Sequence, residues 1–210
     1  MRLPWFWVMQ IFYNERIYGI IKIDVNNYII QSEMKEHKLE THMEKKNIIF
    51  IGMPAVGKST VGVVVAKRLG KQFIDTDLLI QEQEKKLLRE IIAEVGEDGF
   101  LKIENQVNRD VDVENAVISP GGSIVYCEEA MQHYKEIGTI VYLQASYQTI
   151  KQRIRNPKKR GVVLREGQTL KDLYDERCVL FEKYADVIVN EDQCEIGDTI
   201  ENVLEELSRL

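Results

Sequence analysis

Cysteine is scarce in this chain. There are three in 210 residues, Cys127, Cys178 and Cys194, odd in number and far apart. No C-x-x-C pair occurs, which argues against a thiolate zinc site and points to free thiols in a reducing compartment. Long apolar runs are missing too. The stretch at residues 3–13, LPWFWVMQIFY, falls short of the roughly 20 residues that span a bilayer. It runs into Asn14-Glu15-Arg16 instead of a small-residue cleavage site, which argues against a secretory signal. These absences predict a cytoplasmic protein with no membrane partner. Positive charge is not in excess: 28 Lys and Arg stand against 34 Asp and Glu, a formal net charge of −6. That balance argues against a nucleic-acid partner, but not against nucleotide binding, because one local loop overcomes a weak global field. No internal repeat or low-complexity tract is present.

A hydrophobic fraction of 44% and a charged fraction of 30% suit one globular domain with a real core and a short appendage. The appendage is predicted at residues 1–42. It holds both tryptophans, Trp5 and Trp7, and an Ile/Tyr/Val-rich stretch around Asn26-Asn27 that hints at a hairpin. It reads as an extension, or an over-extended start, ahead of a domain at 43–210. From Asn47 onward the text alternates. Strands are predicted at 47–51, 72–74, 116–119, 139–143 and 186–189. Helices are predicted at 58–69, 78–95 (closed by Gly96), 100–111, 128–137, 147–155, 170–184 and 198–210. Such alternation implies an α/β fold with a parallel sheet and right-handed crossovers.

Residues 52–60 read GMPAVGKST. Gly52, four residues, then Gly57-Lys58-Ser59 follows a strand and opens a helix, the context in which this spacing forms a phosphate cradle. Glycines and the small Ala55 let the amides of Ala55, Val56 and Gly57 turn inward, and the helix start adds its positive dipole end. Lys58 is expected to reach the β- and γ-phosphates of ATP, Ser59 to ligate Mg²⁺, and Thr60 to touch the α-phosphate.

Asp75 and Asp77 follow the second strand, where loops at strand carboxyl ends line a ligand crevice. One can hold Mg²⁺ through water while the other accepts a hydroxyl proton; the plainer alternative is that one caps the next helix. Pro120-Gly121-Gly122 ends the third strand at the same sheet edge and permits close approach of backbone to ligand. Arg153, Arg155, Lys158, Lys159 and Arg160 crowd a broken stretch ending near 167, a pattern suited to a lid that excludes water and neutralises developing charge. A solvated basic loop is the plainer reading. For Arg177, on a helix with Val179, Leu180 and Phe181, it is a surface ion pair.

Together these residues resemble the shikimate kinase family across 47–210. The phosphate loop matches. Phe73-x-Asp75-Thr76-Asp77, Gly96-Glu97-x-x-Phe100-x-x-x-Glu104, Gly121-Gly122, Arg160-x-x-x-Leu164 and Arg177-x-x-x-Phe181-x-x-x-Ala185-Asp186 are each similar to a family segment. The resemblance implies a P-loop kinase fold, with a five-stranded parallel sheet flanked by helices, a lid and a substrate-binding subdomain. It implies that Asp77 holds the substrate hydroxyls and is the candidate base, that Asp75 supports Mg²⁺, and that Gly122 and Arg177 bind substrate while Arg160 faces ATP. The activity it implies is ATP-dependent phosphorylation of the 3-hydroxyl of shikimate, by a monomer acting on a small molecule.

The chain departs from the family pattern at several places. Leu101 stands where the family has an arginine that helps bind the shikimate carboxylate; Lys102 is next door but about 100° around the helix. Ser123 replaces a third glycine, Gly161 the lid proline, and Val163 its first leucine. Losing one arm of a charged carboxylate clamp costs roughly 2–5 kcal/mol. Two other readings therefore stand beside the first. One is a kinase for another small polyol, such as a sugar acid or a nucleoside. The other is a nucleotide-binding regulatory protein without turnover.

Overall fold

The computed structural model describes residues 47–154, 162, 165, 167–192 and 194–210. The predicted extension at 1–42 and the predicted ATP contact Arg160 lie outside the described residues.

Five strands make one sheet: β1 (Asn47–Ile51), β2 (Gln72–Asp75), β3 (Ala116–Ser119), β4 (Gly138–Gln144) and β5 (Val187–Asn190). Their order is β2-β3-β1-β4-β5, and every neighbouring pair is parallel. This is the predicted α/β architecture. The central β1 reads NIIFI and is buried throughout, as a strand covered on both faces must be. Its one polar side chain is fully used. Asn47 donates from Nδ2 to the Val113 and Ile137 carbonyls at 2.8 and 3.2 Å and accepts the Ala116 amide at 3.0 Å. It thereby fastens the start of β1 to the segments that lead into both its neighbours. Strand order reverses about β1, so the ligand crevice of such a sheet opens at its carboxyl end.

The helices are α1 (Lys58–Leu69), α2 (Thr76–Glu84), α3 (Leu88–Arg109), α4 (Glu128–Ile137), α5 (Tyr147–Arg153), α6 (Leu170–Tyr184) and α7 (Ile196–Ser208), with a 3₁₀ turn at Ile124–Tyr126. Among the described residues no helix is long and apolar enough to cross a membrane. One stretch differs from the sequence expectation. The helix predicted over 78–95 is two helices, broken where Lys85 takes a left-handed conformation with φ 54°. The break carries no glycine or proline; α3 restarts with the Glu90 carboxylate accepting the Leu87 amide at 3.1 Å. Gly96 does not end a helix. With φ 72° and ψ −179° it kinks α3, a geometry that suits glycine. The bend lets Ile91, Phe100 and Val107 meet Ile80 of α2 in a small second core, separate from the main one on the sheet. That satellite core positions α3 beside the crevice.

Candidate active site

The phosphate loop is built by backbone conformations that few residues accept. Gly52, Ala55 and Gly57 have φ of 148°, 63° and 117°. A side chain on Gly52 would also strike the Leu143 carbonyl, at 2.7 Å. Gly57 precedes α1 without any side-chain cap, and no acidic residue lies in the first turn. The first amides of α1 are therefore available to an anion. Lys58 is buried and donates from Nζ to the Gly52 and Met53 carbonyls at 3.0 and 3.3 Å. Burial pulls its pKa down to about 8, against the opposing pull of Asp77.

Ser59 and Asp75 meet. The Ser59 hydroxyl donates to Asp75 Oδ2 at 2.8 Å and lies 3.3 Å from the Ser119 hydroxyl. Asp75 also accepts the Asp77 amide on Oδ1 at 3.1 Å, so it caps α2 as well. Sequence reasoning missed Ser119. It ends β3 opposite Asp75 in the parallel register, a signal readable only once the strand pairing is known.

A cavity of about 450 Å³ opens beside the loop, lined by Lys58, Ser59 and Thr60 on one side and by Asp77, Glu104 and Gly121-Gly122 on another. Phe100 and Leu88 form apolar wall, and Val162, from the predicted lid stretch, lines it too. Asp77 is pushed up to about 6 by its enclosed position and by Asp75, with Lys58 pulling the other way. Glu104 is fully buried, and neither of its oxygens has a partner of hydrogen-bonding geometry. Burial pushes it up to about 7, with the Ser123 hydroxyl opposing. It stands in a quoted motif, yet its role as a cavity wall could not be read without the kink at Gly96.

Arg177 of α6 is 1% exposed, not the surface residue of the plainer reading. Its Nε donates to the Tyr126 hydroxyl at 3.5 Å, and its guanidinium lies 5.2 Å from the centre of that ring. It does not itself line the cavity, but its charge acts on both Lys58 and Glu104. Leu101 packs against the main core and is not part of the cavity wall. Lys102 is exposed, so it does not take over that position.

A second cavity, of about 480 Å³, shares Ala55, Gly57 and Thr60 with the first and extends to Arg153, Glu191 and Ile196. Arg153 donates to the Val56 carbonyl at 2.9 Å and to Glu191 at 2.6 Å. The phosphate loop thus separates two hollows, one with Lys58, Asp77 and Glu104, the other with Arg153 and Glu191 beside apolar wall from Val56, Val61 and Ile196.

A family model described as shikimate kinase matches residues 54–208. A shikimate kinase of Sulfurihydrogenibium sp. (strain YO3AOP1) is 31% identical over 165 residues, covering 78% of this chain and 99% of the relative. One from Bacillus cereus (strain AH187) is 39% identical over 115 residues, 55% of this chain and 70% of the relative. The solved structure of shikimate kinase from Acinetobacter baumannii in complex with shikimate superposes with a TM-score of 0.72 at 26% identity, covering 80% of this chain and 95% of that one. A match that begins inside the phosphate loop and runs to the last helix, joined to a relative aligned over nearly its whole length, places this chain in the shikimate kinase family.

Proposed function

We propose that this protein transfers the γ-phosphoryl group of ATP to the 3-hydroxyl of shikimate, giving shikimate 3-phosphate and ADP, a step of aromatic amino acid biosynthesis. The observation that carries the reading is the single cavity in which Lys58 and Ser59 of the phosphate loop face Asp77 and the Gly121-Gly122 turn. Donor and acceptor groups then meet at one place, as in-line transfer requires.

ATP lies with its phosphates in the loop, held by the amides of Ala55, Val56, Gly57 and Thr60, and with its nucleoside in the hollow beside Arg153 and Ile196. Lys58 leaves the Gly52 and Met53 carbonyls and contacts the β- and γ-phosphates. The hydroxyls of Ser59 and Ser119 and the Asp75 carboxylate form an all-oxygen set, the chemistry that suits Mg²⁺. Ser59 and Asp75 would hold Mg²⁺, which would supply charge neutralisation on the phosphate oxygens. Asp77 orients the acceptor hydroxyl and takes its proton, and its raised pKa brings it closer to the working range of a base. Gly122 approaches the acceptor through its backbone, Arg177 holds the acceptor carboxylate, and Arg160 stabilises the transferring group. The working unit is residues 43–210, with 1–42 an extension to it. It is a cytoplasmic monomer acting on small molecules, with neither nucleic acid nor membrane as partner.

Coupled ADP release tests the reading, with shikimate, gluconate and nucleosides offered in turn. Saturable release with shikimate is expected. Release with another acceptor only would overturn the choice of acceptor, and none with any acceptor despite ATP binding would overturn the kinase reading.

A further inference from the structure

We propose that Arg153 and Glu191 are positioning residues for the donor nucleotide. From behind the phosphate loop they grip the Val56 carbonyl, and so aim the Gly57 amide, which belongs to the same peptide unit, at the phosphates. This rests on the kinase reading above.

The starting observation is an ion pair that touches the backbone of the loop. Arg153 donates from one nitrogen, Nη1, to the Val56 carbonyl at 2.9 Å and to Glu191 Oε1 at 2.6 Å. The Glu191 side chain is 5% exposed and that of Arg153 37%. Burying the carboxylate costs free energy that pairing with a half-exposed arginine returns only in part, so stability alone is a poor reason for it. The pair is firmly mounted. Glu191 follows β5, and its amide donates to the Gln144 carbonyl at 2.9 Å. Arg153 ends α5, and the start of that helix is held by Asp192, which accepts the Ser146 amide at 2.9 Å and the Thr149 hydroxyl at 2.7 Å. Two neighbours in sequence, Glu191 and Asp192, thus fix the two ends of α5.

Peptide geometry then says what the grip does. A trans peptide unit is planar, so its C=O and N–H point opposite ways. Val56 lines the second cavity, and Gly57 lines both. A guanidinium that draws the Val56 carbonyl towards the second cavity therefore turns the Gly57 N–H towards the first, where Lys58 stands. Among the described residues that amide makes no backbone hydrogen bond, so it is left for a ligand. The restraint is needed at this point of the loop. Gly57 takes φ 117°, and a glycine resists little the rotation that would turn the unit over. Glu191 Oε2 lies 3.7 Å from the place a Cβ on Gly57 would occupy, so the pair sits against this very unit. Paired with Arg153, the carboxylate adds no net charge beside the phosphates.

The test measures Kd by calorimetry for inorganic tripolyphosphate and for ATP, in wild type and in Arg153→Met/Glu191→Met, with melting temperature and the KM of each substrate alongside. The double substitution removes one charge of each sign, so the long-range field is kept. An apolar pair in place of an ionic one should leave the melting temperature near the wild-type value. Both ligands should bind roughly tenfold to a hundredfold more weakly, the worth of one hydrogen bond to a charged group. The factor should be the same for both, because tripolyphosphate has no nucleoside and meets only the loop. KM for ATP should rise while KM for shikimate holds. Arg153→Met/Glu191→Gln carries the same expectations and replaces the first variant if that one folds poorly. Tripolyphosphate bound as tightly by the variant as by the wild type overturns the inference. With ATP weakened, the pair would then serve the nucleoside only; with ATP unchanged, the fold only. The kinase reading survives either result. A wild-type chain that binds neither ligand overturns both.

Discussion

Ser59 donates its hydroxyl hydrogen to Asp75 at 2.8 Å, while the other oxygen of the same carboxylate caps α2 through the Asp77 amide. One side chain thus serves a helix start and, in the proposed function, a metal ion. The two duties separate in different variants. Asn caps a helix about as well as Asp but carries no charge. Asp75→Asn is therefore expected to keep the wild-type melting temperature while needing more Mg²⁺ for half-maximal rate. Asp75→Ala should show the same Mg²⁺ shift and also lose about 1 kcal/mol of stability, the usual worth of a cap. Magnesium titrations of rate beside thermal melts check both. An unchanged Mg²⁺ requirement in Asp75→Asn would leave Asp75 with the capping duty alone.

In the proposed function Asp77 is expected to set the acid limb of the rate profile. Its pKa is pushed from an ordinary 3.8 to about 6 by burial and by Asp75, with Lys58 opposing. As the proposed base it would work ionised, so kcat/KM should climb with pH through about 6 and then level off. Asp77→Asn should lower kcat by roughly 10²- to 10⁴-fold, the usual worth of a positioned base. Lys58→Met removes the opposing charge along with the proposed phosphate contact. It should move the residual acid limb to higher pH and cut kcat by roughly 10²- to 10³-fold, as loss of one such donor does elsewhere. Steady-state rates between pH 5 and 8 give all three, and an acid limb that ignores both substitutions would remove Asp77 from the chemistry.

Glu104 ties stability to pH. A carboxyl that ionises less readily in the folded chain than in the unfolded one stabilises the fold below its unfolded pKa. That contribution is lost as pH rises through the folded value. For Glu104 the window runs from its ordinary 4.5 to about 7. Across it the wild type should lose roughly 3 kcal/mol relative to Glu104→Met, at 1.36 kcal/mol per pKa unit. Asp77 adds a loss of the same sign between 3.8 and about 6; because the two carboxyls repel each other, Glu104→Met also eases that loss, which widens the difference in the same direction. Urea melts of the pair at pH 4.5, 6 and 7.5 measure it; parallel curves would mean that Glu104 ionises as freely folded as unfolded.

Much of this was legible beforehand because it depends on local rules. The spacing of Gly52, Gly57, Lys58 and Ser59, and the short apolar runs at Asn47 and Ala116, state the loop and the central strands without reference to anything distant. What escaped depends on pairing and packing. Ser119 joins the site only because β3 lies parallel to β2 in a register that sets it opposite Asp75. Lys85 breaks a helix by a left-handed turn that its identity does not announce. Arg177 looks like a surface residue in one dimension and is fully enclosed in three. Glu104 becomes a wall of the cavity only through the kink at Gly96.

Leu101→Arg tests the departure at that position. An arginine there lies three residues before Glu104, on the same face of α3, and would pair with a carboxyl that now has no partner. It gives up apolar packing against the main core, so the melting temperature is expected to fall modestly or hold. If that guanidinium also reaches the acceptor, as the family pattern implies, KM for shikimate should fall by about tenfold or more, toward the worth of one arm of a charged clamp. Acceptor titrations at saturating ATP decide it: KM unchanged or raised would mean that the carboxylate is held elsewhere.

The two glycines of the 121–122 turn serve different partners, and their alanine variants should therefore fail differently. A Cβ on Gly122 would sit 2.8 and 2.9 Å from ring atoms of Pro54 and 3.2 Å from its nitrogen. The proline ring cannot swing aside, so the phosphate loop itself must move. Gly122→Ala is expected to raise KM for ATP and to lower kcat, since a small misplacement of the reacting groups is costly. A Cβ on Gly121 meets the Glu104 and Asp77 carboxyls instead, which are side-chain ends that can turn away. Gly121→Ala should spare ATP binding, measured by calorimetry without acceptor, and raise KM for the acceptor. If Gly122→Ala bound ATP like the wild type, the contact with Pro54 would be a mere packing detail, and the acceptor turn and the phosphate loop would move independently.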